Sequence, residues 1–148
     1  MPRFNMSAIA AEGQNHLIAL EGYLHKNLDA KLISLVKLRA SQINGCLFCL
    51  HMHFEEALKA GDTAVRINAL SGWHESRMFT ARERAALKWT EALTFIASDR
   101  AEDETYDAVR AEFSEKELAD LTLAIAAINA WNRIAISTRL VHPADKAA

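Results

Sequence analysis

Between Leu121 and Ile136 the chain reads LTLAIAAINAWNRIAI, and this run restricts what the rest can fold into. Leu118, Leu121, Ile125, Ile128, Asn132 and Ala135 recur at three- and four-residue spacing, but apolar residues occupy the other helix faces too. A membrane span needs about 20 predominantly apolar residues, and charge near its middle is expensive. Asn129, Asn132 and Arg133 interrupt this run and Asp120 precedes it, so it reads as a buried helix of a soluble protein. Ser114-Glu115-Lys116-Glu117 immediately upstream has capping-box spacing and marks the helix start. A helix apolar all round must be covered on several sides. One small domain offers limited cover, so other subunits are expected to supply part of it.

The remaining chain supports the same class. No period-two pattern with turn punctuation appears, and only two prolines and five glycines break the sequence, which gives an all-α reading. A first helix is expected from Ser7 to about Lys26, with Ser7 as cap and Ile9, Leu17, Leu20 and Leu24 as its stripe. Asp29 caps a second, with Leu32, Leu35, Val36 and Ile43 apolar, and Asn44-Gly45 ends it. A third runs from Cys46 to about Ala60, with Gly61 at the left-handed cap position and Asp62 starting a new turn. A short helix follows over Ala64 to Leu70, and Trp73 to Phe79 reads as a connection with aromatic ends. Thr80-Ala81-Arg82-Glu83 is a second capping box opening a helix to about Ala97, and another covers roughly Asp103 to Phe113. The tail HPADKAA reads as frayed.

With 148 residues, 51% apolar, the chain can bury a core and is expected to form one domain. Seventeen basic against nineteen acidic residues leave a net charge of −2, which offers neither a nucleic-acid field nor a polybasic membrane surface. MPRFNMSAIAAEGQNH has no signal-peptide pattern, so a cytoplasmic location is expected. In such a reducing compartment a CxxC pair is more often redox-active or metal-binding than structural.

The only two cysteines, Cys46 and Cys49, form that pair at the expected helix start. Unpaired backbone N–H groups and the macrodipole there favour a thiolate. A neighbouring base can lower a thiol further from its usual pKa of about 8.5, and His53 lies one turn beyond Cys49. Reversible dithiol chemistry follows: one thiolate attacks an electrophile such as a peroxide oxygen, and the other condenses with the sulfenic acid to a disulfide. Zinc would accept Cys46, Cys49, His53 and His51, but His51 points off the cysteine face of a single helix. Two buried, inert thiols are the bland reading. His16, His25, His74 and His142 lack catalytic partners at helical spacing and read as surface residues, and Trp73, Trp89 and Trp131 read as core or interface. Asn129 and Asn132 need partners once buried, at a subunit contact or on backbone, and Glu55 and Glu56 fall on a face expected to be solvated.

LVKLRASQINGCLFCLHMH, EEALKAGD, TARERAALKWTEALT and FSEKELADLTLAIAAINAWNR together resemble the alkylhydroperoxidase D (AhpD)-like branch of the carboxymuconolactone decarboxylase superfamily, over about Leu28 to Arg133. The resemblance implies an all-helical fold, trimers or hexamers, and thiol-dependent reduction of a small-molecule hydroperoxide, with a thiol or protein reductant restoring the dithiol. It implies no flavin, haem or metal. It assigns peroxide attack to Cys49, resolution to Cys46 and the base to His53, whereas helix-start electrostatics alone favour Cys46 as attacker. The branch usually carries a relay glutamate twelve residues before the first cysteine, where this chain has Ser34. A hydroxyl there can orient an imidazole but cannot take its proton near neutral pH. Phe48 replaces a histidine found in some members, and His51 stands where aspartate is common. The alternatives are a non-catalytic helical module or redox sensor that keeps the fold, and a cofactor-free decarboxylase of the wider superfamily.

Overall fold

The computed structural model describes residues 2–145. The described residues contain helices and no strand: α1 (Met6–Ile9), α2 (Ala11–Asn27), α3 (Ala30–Asn44), α4 (Leu47–Lys59), α5 (Ala64–Ala69), α6 (Ala81–Thr94), α7 (Ile96–Asp99), α8 (Asp103–Arg110) and α9 (Glu115–Thr138), with short 3-10 turns at Leu70–Gly72 and Pro143–Asp145. The all-α expectation therefore holds.

The punctuation read from sequence is mostly where the helices begin and end. Asp29 accepts a hydrogen bond from the Leu32 N–H to open α3, and both capping boxes, Thr80/Glu83 and Ser114/Glu117, are closed in both directions. Gly45 (φ 68°) and Gly61 (φ 87°) occupy the left-handed region that a side chain would resist. The first helix differs from expectation. Asn5, not Ser7, caps α1, the chain bends at Ala10, and Ile9 is 73% exposed, so only Leu17, Leu20 and Leu24 turn inward on α2. Asp62 does not open α5; Thr63 does, while Asp62 holds Arg66. Helix α6 stops at Thr94 and α8 at Arg110, each a turn earlier than the pattern suggested. The last three residues of the expected frayed tail lie outside the described residues, and Pro143–Asp145 form a 3-10 turn.

Helix α3 is the axis of the fold. Every residue from Leu32 to Leu38 is buried, because α4, α6 and α9 pack around it and α2 closes the side toward α9. One apolar cluster joins α3, α6, α8 and α9 through Val36, Trp89, Val109, Phe113 and Leu121. Another joins α3 to α4, α5 and the connection after it through Leu35, Leu38, Ala57, Ile67, Trp73 and Phe79, so the aromatic ends of the 73–79 segment are core residues. A third joins α3, α4 and α9 around Ala40, Cys46, Cys49, Ile128 and Ala135, and it carries the dithiol. Helix α9 buries Leu118, Leu121, Ile125, Ile128 and Asn132 but leaves Leu123 and Ile136 exposed. No described helix is long and apolar enough to cross a membrane.

Candidate active site

The site is made by the break between α3 and α4. Gly45 in its left-handed conformation turns the chain so that the Cys46 N–H bonds back to the Ser41 carbonyl at 3.0 Å, and Cys46 becomes the N-cap of α4. Cys49 then falls in the first turn, and the two sulfurs stand 2.8 Å apart as free thiols, each residue 1% exposed.

Behind them α9 contributes Asn132, which is fully buried. Its amide oxygen accepts from Asn44 at 2.9 Å and its nitrogen donates to the Ser41 hydroxyl at 3.0 Å. Its amide also lowers the pKa of both sulfurs, favouring their charged forms. Asn44 extends the ladder to Asn129 at 3.0 Å, and Asn129 donates to Thr94 and to the Ile125 carbonyl. The buried amides thus find partners within the chain, satisfying groups that would otherwise be costly to bury.

This packing splits the two thiols. The hydrogen bond from the Cys49 side chain, helped by the Cys49 backbone N–H and Asn132 and opposed by burial, brings Cys46 down from 9.0 to about 7. Cys49 moves up, because it shares that hydrogen bond, is buried and faces a charged neighbour. Cys46 is therefore the more acidic of the two thiols and Cys49 the one that keeps its proton, as the helix-start argument suggests.

Cys49, not Cys46, faces a cavity of about 500 Å³. Phe48, Met52, Trp131, Ile134 and Leu140 give it apolar walls, and residues from Pro2 to Ser7 lie along it, tied to the end of α9 by Arg3 bonding to the Ser137 and Thr138 carbonyls. Its polar groups are Cys49, His53, Glu56, Lys37, Glu21 and His25. His53 is 2% exposed, and its Nδ1 lies 2.7 Å from a Glu56 carboxylate oxygen. An ionised carboxylate can only accept, so Nδ1 carries a proton, and in the neutral imidazole Nε2 holds the lone pair. That Nε2 is buried and has no partner. His53 makes no hydrogen bond to either sulfur among the described contacts; the two groups meet at the cavity rather than directly.

This fold and dithiol can be set beside known proteins. A model of the carboxymuconolactone decarboxylase family matches residues 11–92, more than half of the chain. The chain belongs to this family. Within the carboxymuconolactone decarboxylase family it lies on the AhpD-like branch. ATU0492 of Agrobacterium tumefaciens, a protein of unknown function described as a candidate AhpD antioxidant-defence protein, has a crystal structure similar at TM-score 0.93 and 43% identity, over 97% of this chain and 99% of that one. YdfG, an uncharacterized protein of Bacillus subtilis (strain 168), is 40% identical over 136 residues, 91% of this chain and 92% of that one. An uncharacterized peroxidase-related protein from Silicibacter sp. TM1040 shares the fold at TM-score 0.78 with 20% identity, over 88% and 70% of the two chains.

At the branch's relay position, Ser34 is buried but does not line the cavity, and its hydroxyl donates to the Ala30 carbonyl at 2.8 Å. It neither orients nor deprotonates His53, contrary to the role a hydroxyl there could take. Glu56, expected on a solvated face, instead reaches into the site. His51 turns away and stacks on His142, which also meets the Phe48 ring edge-on. Among the described residues no three His, Cys, Asp or Glu side chains converge as metal ligands would, so the set Cys46, Cys49, His53 and His51 does not assemble. His74 is a surface residue as expected, and there it stacks on Trp73 and meets Glu91 at 3.1 Å.

Sequence reasoning missed Lys37, Glu21 and Glu56. Lys37 is 2% exposed and bonds to Glu21, whose other oxygen accepts from the Trp131 indole at 3.0 Å. A lysine inside the run LISLVKL was a visible signal, and so was Glu56 three residues beyond His53. Nothing in the sequence brought Glu21 of α2 to the same cavity.

Proposed function

We propose that this protein is a thiol-dependent peroxidase that reduces hydroperoxides through a Cys46–Cys49 dithiol and disulfide cycle. The observation that carries this reading is a proton-sharing sulfur pair whose Cys49 member lines a cavity that is also lined by His53, a residue with a buried and unpartnered Nε2. In the cycle, the Cys49 sulfur attacks the terminal oxygen of ROOH and the O–O bond breaks. Cys49 becomes a sulfenic acid, and ROH leaves with the proton that Cys49 gave up, carried by His53 Nε2. Cys46 then attacks the Cys49 sulfur as the thiolate, the S–S bond forms, the S–O bond breaks, and the departing hydroxide leaves as water with a proton taken from solvent. Two electrons from an external thiol or protein dithiol restore both thiols.

Cys49 is the attacking residue in this scheme because it faces the cavity, although Cys46 is the more acidic thiol. The apolar side chains left exposed on α9 and on α4, Leu123, Ile136, Leu47, Phe54 and Leu58, support a homo-oligomer, a trimer or hexamer in line with the branch. Free thiols and an external reductant suit the cytoplasm. The test is direct: reduced protein given stoichiometric hydroperoxide should lose two thiols per chain, with the Cys46–Cys49 disulfide found by mass mapping. Thiols that persist through many equivalents would leave the non-catalytic module in its place.

A further inference from the structure

The peroxidase scheme uses Cys49, Cys46 and His53 and leaves Glu56 without a task. We propose that Glu56 is the positioning residue of this site: it locks His53 in the tautomer that leaves the lone pair on Nε2, and it links the buried imidazole to solvent. The proposal rests on the thiol-peroxidase reading for its effect on rate, but its structural half stands on geometry alone.

Three observations lead here. The 2.7 Å contact joins Glu56 to Nδ1 specifically, so the free nitrogen is the one left without a partner. The two side chains differ in access, 3% exposed for His53 against 37% for Glu56, so the carboxylate is a path by which a proton could leave an imidazole that water barely reaches. Ser34 is committed to the Ala30 carbonyl and absent from the cavity lining, so it offers His53 no acceptor. A neutral imidazole without an acceptor at Nδ1 can equally carry its proton on Nε2, and would then offer the cavity a donor where the chemistry needs a base.

The surroundings keep Glu56 ionised. Burial works against its charge, but the hydrogen bond from His53 and the charges of His53, Lys37 and His25 hold it below the usual carboxylate range. Lys37 comes from α3 and His25 from α2, while Glu21, the other acid of the cavity, is already bound to Lys37 and to Trp131. Glu56 is thus the carboxylate available to His53.

The test uses full-length reduced protein, the variants Glu56→Ala and Glu56→Gln, and tert-butyl hydroperoxide as probe. Imidazole nitrogen NMR, assigned with His53→Gln, reads the tautomer without any oxidant. Wild type should show His53 protonated at Nδ1, and Glu56→Ala should lose that preference. Oxidation of the dithiol in Glu56→Ala should slow by at least about tenfold with an unchanged melting temperature. Glu56→Gln, whose amide oxygen can still accept from Nδ1, should fall between the two. An Nε2-protonated His53 in wild type, or an Ala variant with wild-type tautomer and rate, would overturn the proposal. If wild type itself loses no thiols to the probe, the peroxidase reading fails, and the NMR result still decides whether Glu56 holds His53.

Discussion

Replacing Cys49 by alanine should move the titration of the other sulfur. Cys46 owes its pKa of about 7 first to the hydrogen bond from Cys49, while burial pulls the other way. The substitution removes the support and keeps most of the penalty, so Cys46 should rise at least to the ordinary thiol value of about 8.5. At pH 7 its ionised fraction would fall from about one half to about 3%. The loss in reactivity is smaller than this roughly fifteenfold drop. A more basic thiolate is a better nucleophile, with a Brønsted slope of about 0.4–0.5, which returns about fivefold and leaves a deficit of only about threefold. Cys46 is also 1% exposed, so alkylating reagents would reach it slowly in either protein. Ultraviolet absorbance of the thiolate is therefore the assay of choice. Reduced wild type should show one step near neutrality and a second far above it, and Cys49→Ala a single step moved upward by about 1.5 pH units or more. In Cys46→Ala the remaining Cys49 should titrate lower than in wild type, because its first and third causes of elevation are gone. A Cys49→Ala step still centred near 7 would refute the shared-proton account.

Other outcomes follow from the same contacts. Lys37→Met leaves Glu21 with the Trp131 indole and the cavity as its surroundings, and should cost about 2–3 kcal/mol in urea denaturation, below the usual loss for a deeply buried pair because Glu21 retains some exposure. Adding Glu21→Gln should recover most of this loss, and a single-variant cost under about 1 kcal/mol would show that the pair is well solvated. Asn132→Ala strips partners from Ser41 and Asn44 and leaves a cavity beside the sulfurs, so a loss of about 3 kcal/mol and a higher Cys46 titration are expected together. Unchanged absorbance titration would remove Asn132 from the thiolate's support. Ser34→Ala should keep the peroxide rate and lose no more than about 1 kcal/mol, whereas Ser34→Glu should destabilise by burying a charge; faster oxidation in the glutamate variant would show that position 34 does reach His53.

The sequence by itself determined the helical class, most helix starts and the nature of the dithiol. Those features are local: Asp29, Thr80 and Ser114 bond to N–H groups three residues on, Gly45 and Gly61 adopt a conformation other residues resist, and Cys46 and Cys49 meet because they share one helix start. Local rules failed at Ile9, whose helical spacing did not continue through the bend at Ala10. Only the tertiary structure decided which groups surround the sulfurs. Lys37 and Glu21 are sixteen residues apart and Glu21 and Trp131 are one hundred and ten apart, so their meeting depends on α2 and α9 packing against α3. Glu56 and His53 meet by local spacing on α4, but only packing decided that this pair lines the cavity while Ser34 on α3 does not, since the direction a helix face takes is fixed by what covers it.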